Sequence, residues 1–385
     1  MKNTKYSIKH KLSLSLLALL SNLIILPSAF SQSPDWSYAP VVDDAENNPI
    51  PIILFDEGHN NFHIANKSYY GFTKLLTADG YNIRPLNGPF VDDPAATPTS
   101  DFQHQKDLAN ILVIASPCQA VPCNTSVGDA LTDLEVTEIH QWVEQGGSLL
   151  LIIDHPPFAQ TSNLALAFGI DLILDRIDKL TFDVTNVTFN TINSNSDLIL
   201  GRNTSEAISY IQTFTGTSFS INPNPPLDVT FEPVLELQAG VYQGIALNVG
   251  AGRVYISGEA AMFTTQLTFD GVPWGMHIAS AAYNEQYLRN IVHWLDGRMS
   301  VISGKVSLAD GTPVSGVTIQ FVNQAGRTWK TVSDSLGNYI SPRGMRNNGY
   351  IVTAISSVYD FVSNANLVVV GDSPTRNHNF TAVPK

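Results

Sequence analysis

Seven residues have types and spacing suited to chemistry. Asp56, Glu57, His59 and His63 fall in Leu54-Phe55-Asp56-Glu57-Gly58-His59-Asn60-Asn61-Phe62-His63. Asp154 and His155 follow Ser148-Leu149-Leu150-Leu151-Ile152-Ile153, and Glu259 stands in Ser257-Gly258-Glu259-Ala260. All but His63 stand at or just past the end of an apolar run; His63 lies a few residues into the loop. Carboxylates grouped with neutral imidazoles can hold a divalent metal. The candidate ligands are His59, His63, Asp154 and His155, and a divalent metal is the only cofactor these residues suggest. The same groups can instead work as a metal-free acid-base pair, with His155 oriented by Asp56 or Glu57. No serine or cysteine stands where it would serve as a nucleophile. The plainer reading is structural, because Asp and His at strand ends cap helices and pin loops. Asp56, Glu57, His59, Asp154, His155 and Glu259 are therefore carried forward as either catalytic or pocket-lining residues.

Two stretches must position these groups. Pro51 to Gly58 and Ser148 to Asp154 each read as a buried parallel strand that delivers polar residues at its carboxyl end, which is where open α/β sheets bind ligands. The two strand ends are expected to lie side by side. Between them the pattern gives a helix over Ser68 to Ala78 closed by Gly80, a strand over Tyr81 to Leu86, and a loop from Gly88 to Asp107. A strand over Asn110 to Ala115 follows, then a helix over Thr132 to Gln145. That helix carries a capping box at Thr132 and Glu135 and an apolar stripe at Leu134, Val136, Ile139, Trp142 and Val143. Strands alternating with helices predict a parallel α/β sheet. Leu164 to Leu174 reads as a helix or a helix-strand join, and Gly244 to Ser257 as paired strands. A helix over Glu285 to Leu295, closed by Gly297, ends the first domain. From Val301 onward, short strands separated by turns predict a small all-β sandwich. Tyr69 and Tyr70 either line the pocket or pack in the core, and His277 lies in a loop from which it can reach the pocket; His140 and His293 lie on helices and read as packing or surface residues.

Composition narrows the setting. Lys2, Lys5, Lys9 and Lys11 precede an apolar stretch from Leu12 to Leu26, then Pro27 and the small-x-small Ala29-Phe30-Ser31. This is the form of a secretory signal peptide over residues 1–31, so the protein is expected to be secreted or periplasmic. No later stretch is long and apolar enough to span a membrane. Removing those four lysines takes the formal net charge from −13 to −17. A chain that acidic, with no basic run, is a poor partner for nucleic acid. The two cysteines, Cys118 and Cys123, are expected to close a small disulfide loop in an exported chain, and they are too few for a zinc site.

Longer motifs carry a family resemblance. Leu54-Phe-Asp-Glu-Gly-His59, Trp142 to His155, Gly252 to Phe263 and Asn290-Ile-Val-His-Trp-Leu-Asp-Gly297 together resemble the class I glutamine-amidotransferase-like superfamily. The resemblance is to a branch with ThuA-like, sugar-related relatives, and it covers roughly Pro51 to Gly297. It implies a flavodoxin-like parallel sheet over residues 49–298. Glutaminases of that superfamily place a cysteine nucleophile after the strand that matches Leu149 to Ile153. Here Asp154 and His155 stand there, so glutamine hydrolysis is not implied. Ile302-Ser-Gly-Lys-Val, Asp310 to Val317, Ser333 to Tyr339 and Tyr350 to Ala354 resemble the carboxypeptidase regulatory-like family. That implies an Ig-like, prealbumin-like β-sandwich over residues 301–385, usually a non-catalytic accessory.

Three functions fit these readings. The first is an exported protein that binds a glycan or similar small polar ligand at the carboxyl ends of the sheet. The second is a hydrolase, metal-assisted or not, that uses the Asp/Glu/His cluster. The third is a surface-assembly module acting through the β-sandwich.

Overall fold

A computed structural model describes residues 33–40, 50–92, 101–123, 128–268, 270–342, 348–362 and 365–385. The expected signal peptide, residues 1–31, lies outside the described residues.

The first half of the chain alternates strand and helix. Strand β1 (Ile52–Asp56) leads through helix α1 (Tyr70–Ala78) to β2 (Asn82–Leu86). Strand β3 (Ile111–Ala115) leads through helix α2 (Asp133–Glu144) to β4 (Ser148–Ile152). The second half adds β5 (Val229–Gln238), β6 (Val241–Val249), β7 (Gly252–Ser257) and helix α3 (Asn284–Leu295). In the sheet the order is β2-β1-β3-β4-β7-β6-β5, continued by short strands. The first five strands pair in parallel and β6 and β5 run antiparallel. Two local expectations need correcting. The loop after β2 contains a short helix, Asp101–Gln105, built around buried Phe102. Leu134, counted in the apolar stripe of α2, is 71% exposed.

Alternation along each strand decides which face a residue serves. Ile53, Phe55, Val113, Leu150, Ile152 and Tyr255 pack on one face, against Phe72, Leu75 and Leu76 of α1 and Leu288 and Ile291 of α3. Leu54, Leu112, Ile114, Leu149, Leu151 and Val254 pack on the other face, against Val136, Ile139 and Val143 of α2. With both faces covered, the strands are continuous apolar runs. Because α1 and α2 lie on opposite faces, the winding reverses between β1 and β3. That is the switch point at which a crevice opens beyond the carboxyl ends.

The expectation that β1 and β4 are neighbours is corrected, since β3 pairs with both and lies between them. Two strand spacings, about 10 Å, therefore separate their axes. The strand that separates them comes from the second winding unit, which starts beside β1 instead of beyond β2.

Past residue 302, the described residues form eight strands in two four-stranded sheets around a core of their own that includes Ile302, Val306, Ile319, Phe321, Val352 and Phe380. This region touches the α/β part through Ser303 Oγ, which donates to the Arg202 carbonyl (2.7 Å). The Arg376 guanidinium also contacts the Asp197 carboxylate (2.7 Å).

Candidate functional site

The residues at the carboxyl ends divide between the two faces. Asp56 continues the Leu54 side of β1 and so points toward α2. His59 Nδ1 donates to Asp56 Oδ1 (2.8 Å) and His59 Nε2 to Glu135 Oε1 (2.9 Å). Glu135 also closes the capping box of α2, accepting from the Thr132 amide and hydroxyl and from the Phe90 amide. Asn61 Nδ2 donates to Asp56 Oδ2 (2.8 Å) and to the Ala115 carbonyl, bridging the switch point. The His59 ring lies on Phe90 with centroids 4.6 Å apart. Burial alone would lower the His59 pKa, but the Asp56 and Glu135 carboxylates override it and raise it to about 10. Burial pushes Glu135 up, yet the hydrogen bonds from His59 and Thr132 bring it down to about 2. The result is a buried carboxylate–imidazolium–carboxylate bridge in which both ring nitrogens are engaged. Gly58 permits the tight turn beside it, because a Cβ there would lie 2.3 Å from the Gly88 carbonyl oxygen.

The opposite face differs. Asp154 continues the Leu150–Ile152 side of β4, and Glu259 follows β7. His63 reaches them from the loop after β1, with Nε2 3.7 Å from Asp154 Oδ2, too long for a hydrogen bond. The His63 ring stacks on Tyr69 with centroids 4.6 Å apart, and Tyr69 is fixed by donating its hydroxyl to the Ala260 carbonyl (3.1 Å). His63 is 4% exposed, yet neither ring nitrogen has a hydrogen-bond partner among the described residues. Glu259 is fully buried and accepts from the amides of Phe214, Ala261 and Met262. Burial raises its pKa to about 8, and the charge of Asp154 adds to the rise against those three hydrogen bonds. Burial therefore favours the protonated form of Glu259 over the carboxylate.

The remaining expected residues occupy the rim or other parts of the molecule. Glu57 Oε1 accepts from the Ala65 amide (3.0 Å) and pins the loop before α1. His155 donates Nδ1–H to the Pro156 carbonyl (2.8 Å) and holds Nε2 3.8 Å from Asp154 Oδ1. His277 pairs with Asp35 (3.3 Å) instead, and His293 is buried against Asp79 (2.7 Å). The expected single cluster is therefore two clusters: Asp56 and His59 on one face, Asp154, His63 and Glu259 on the other.

Among the described residues, no three of His59, His63, Asp154 and His155 come together as a metal-ligand set. The three-residue group that does come together is His140, Glu144 and Asp228, at the surface. His59 is unsuited to a metal here for a simple reason: each ring nitrogen already holds a proton shared with a carboxylate.

Two groups escaped the sequence reading as site residues. Glu135 was legible only as a helix cap, and nothing local reveals that its second oxygen reaches His59, seventy-six residues away in sequence. Ser116, directly after β3, has φ of 42°, and its buried hydroxyl has no partner among the described residues. Left-handed backbone at a non-glycine residue is strained and gathers at functional turns, but φ cannot be read from Ala115-Ser116-Pro117. The expected disulfide is present: Cys118 is bonded to Cys123, and the loop is anchored by the Cys118 amide donating to the His59 carbonyl (2.8 Å). Among the described residues, no helix is long and apolar enough to cross a membrane.

No family model matches this chain, and no curated protein matches it. Solved structures do match, at low identity. A structure described as the mmIFT52 N-terminal domain aligns with a TM-score of 0.42 and 14% identity, over 63% of this chain and 97% of its own. A protein described as ThuA-like from Parabacteroides merdae aligns with a TM-score of 0.39 and 9% identity, over 64% and 90%. Another so described, from Bacteroides uniformis, gives 0.36 and 12%, over 68% and 96%. These are likenesses of fold alone, and the chemistry of the site rests on the geometry above.

Proposed function

We propose that this is an exported protein that binds a small hydroxyl-rich ligand, a carbohydrate or similar molecule, at the polar centre formed by His63, Asp154 and Glu259. The observation that carries the reading is the buried His63 ring, whose two nitrogens have no hydrogen-bond partner among the described residues. Leaving such a group unsatisfied costs about 1–3 kcal/mol, and a ligand hydroxyl that supplies the missing bonds recovers it. An imidazole offers its two ring nitrogens and Asp154 its carboxylate oxygens, beside the buried Glu259 carboxyl. That mixture suits hydroxyls better than it suits a second charge. Calorimetric titration of the full chain with a panel of neutral sugars tests this. His63→Ala and Asp154→Asn should each weaken binding at least tenfold while the protein stays folded; unchanged affinity in both would end the reading.

A second reading, acyl hydrolysis, is favoured by one observation: Ser116, at the end of β3, combines a strained backbone with a buried hydroxyl that has no partner among the described residues, as a nucleophile on a tight turn would.

A further inference from the structure

Next to the polar centre lies an apolar pocket of about 240 Å³. Its walls are Asn60 to Phe62 from the loop after β1, Val121 to Cys123 from the disulfide loop, and Phe158. It stands where the winding of the sheet reverses, the place such sheets use for ligands. The Phe62 and Phe158 rings pair with centroids 4.4 Å apart, and Phe62 is 39% exposed. The same two rings lead directly to the polar centre: Phe62 packs edge-on to His63 (4.9 Å) and Phe158 to His155 (5.6 Å). The facing wall is fastened at both ends. The disulfide closes it, the Gln160 side-chain amide donates to the Cys123 carbonyl (3.2 Å), and Gln160 Oε1 accepts from the Gln119 amide (2.8 Å).

Resting on the reading above, we propose that the ligand has two parts. A hydroxyl-rich head binds at His63, Asp154 and Glu259, and a ring-sized apolar substituent fills the pocket between Phe158 and the disulfide loop. The size is right: an apolar cavity of about 150 Å³ already holds one benzene ring. The composition is right as well, because aromatic rings and a proline offer apolar surface and both asparagine side-chain amide groups are engaged elsewhere. Asn61 Nδ2 is spent on Asp56, and Asn60 Nδ2 donates to the Cys118 carbonyl (3.3 Å). The disulfide loop is then part of the specificity determinant, since it supplies one wall.

Calorimetry with matched methyl and 4-nitrophenyl glycosides, and with 4-nitrophenol alone, tests this. The nitrophenyl member of a pair should bind about tenfold tighter than its methyl partner, a gain of about 1.4 kcal/mol. Phe158→Ala and the double variant Cys118→Ser/Cys123→Ser should erase that advantage and leave methyl-glycoside affinity intact; Phe158→Leu should retain part of it. His63→Ala should weaken both members equally. Equal affinities for the two members, or an advantage that survives both Phe158→Ala and loss of the disulfide, would overturn the subsite. If no glycoside binds at all, the proposed function fails on its own, and 4-nitrophenol still decides the subsite. Binding that Phe158→Ala abolishes supports it, and no binding overturns it. Melting curves of each variant establish that the folded protein is being compared.

Discussion

His59 and His63 lie four residues apart in one loop, each is nearly buried, and each ring stacks on an aromatic neighbour at 4.6 Å. They differ in what the ring nitrogens meet. Both His59 nitrogens bond carboxylates, which ties β1 to the start of α2. Both His63 nitrogens lack partners among the described residues, although Asp154 stands 3.7 Å away. Residue type and burial therefore do not distinguish the two rings; what their nitrogens meet does, and the proposed reading gives the unsatisfied ring to a ligand.

The same substitution should be strongly destabilising at one position and harmless or better at the other. Phenylalanine keeps a stacked ring and removes the nitrogens. His59→Phe leaves the Asp56 and Glu135 carboxylates buried without the cation they share, which should cost about 3–5 kcal/mol. His63→Phe removes two unsatisfied groups and should be neutral or stabilising by about 1 kcal/mol, while abolishing ligand binding. Urea unfolding midpoints check both. A large loss at His63, or a negligible one at His59, would erase the contrast.

Titration sharpens the comparison. The pKa of His59 is raised in the folded state to about 10 from 6.5. Its contribution is thus fully present below pH 6.5 and is lost as pH rises through 10. Glu135, lowered to about 2 from 4.5, contributes above pH 4.5 and loses that contribution as pH falls through 2. The alkaline loss should be missing from His59→Phe, as unfolding free energy measured from pH 6 to 10.5 will show.

The sheet was largely legible because continuous apolar runs and a complete capping box are local signals. Ile52–Asp56, Ser148–Ile152 and Asp133–Glu144 stand within a few residues of where their sequence patterns place them. Strand order was not legible, so β3 between β1 and β4 was missed, and with it the division of the polar residues between two faces. The alternation itself contained part of the answer. Asp56 shares parity with Leu54, whereas Asp154 shares parity with Leu150 and Ile152, and these pack on opposite faces. Glu135 and Ser116 lay beyond reach because a partner seventy-six residues away and a backbone dihedral leave no mark on residue type.

Glu259 gives a smaller effect on the unsatisfied face. Its carboxyl is raised to about 8 from 4.5, so the folded state holds a proton that the unfolded chain releases. Stability should fall as pH rises from 4.5 to 8 and level off beyond. Glu259→Gln keeps the neutral shape and should flatten that slope. It also turns an amide nitrogen toward one backbone N–H, a pH-independent cost of about 1–3 kcal/mol. Slope, not absolute stability, is therefore the readout, and an unaltered slope would show that Glu259 is ionised at neutral pH.

The smallest effect on stability is expected at Ser116, where it separates binding from hydrolysis. A non-glycine residue at φ of 42° pays about 1–2 kcal/mol in backbone strain. Ser116→Gly relieves that strain but gives back about 0.5–1 kcal/mol through the greater freedom of the unfolded chain. The net change should stay within about 1 kcal/mol. Ser116→Ala keeps the strain and deletes only a buried hydroxyl without a partner among the described residues, so it too should be nearly neutral. Stability is thus matched across the three proteins, and function can be compared cleanly. If the chain only binds its ligand, both variants should retain sugar affinity, and 4-nitrophenyl acetate should be turned over no faster by wild type than by either variant. If Ser116 is a nucleophile, wild type alone should show a burst of 4-nitrophenol, and both variants should lose it, because neither carries an oxygen to acylate. A burst that persists in Ser116→Ala would exclude Ser116 as the nucleophile and remove the one observation that favours hydrolysis.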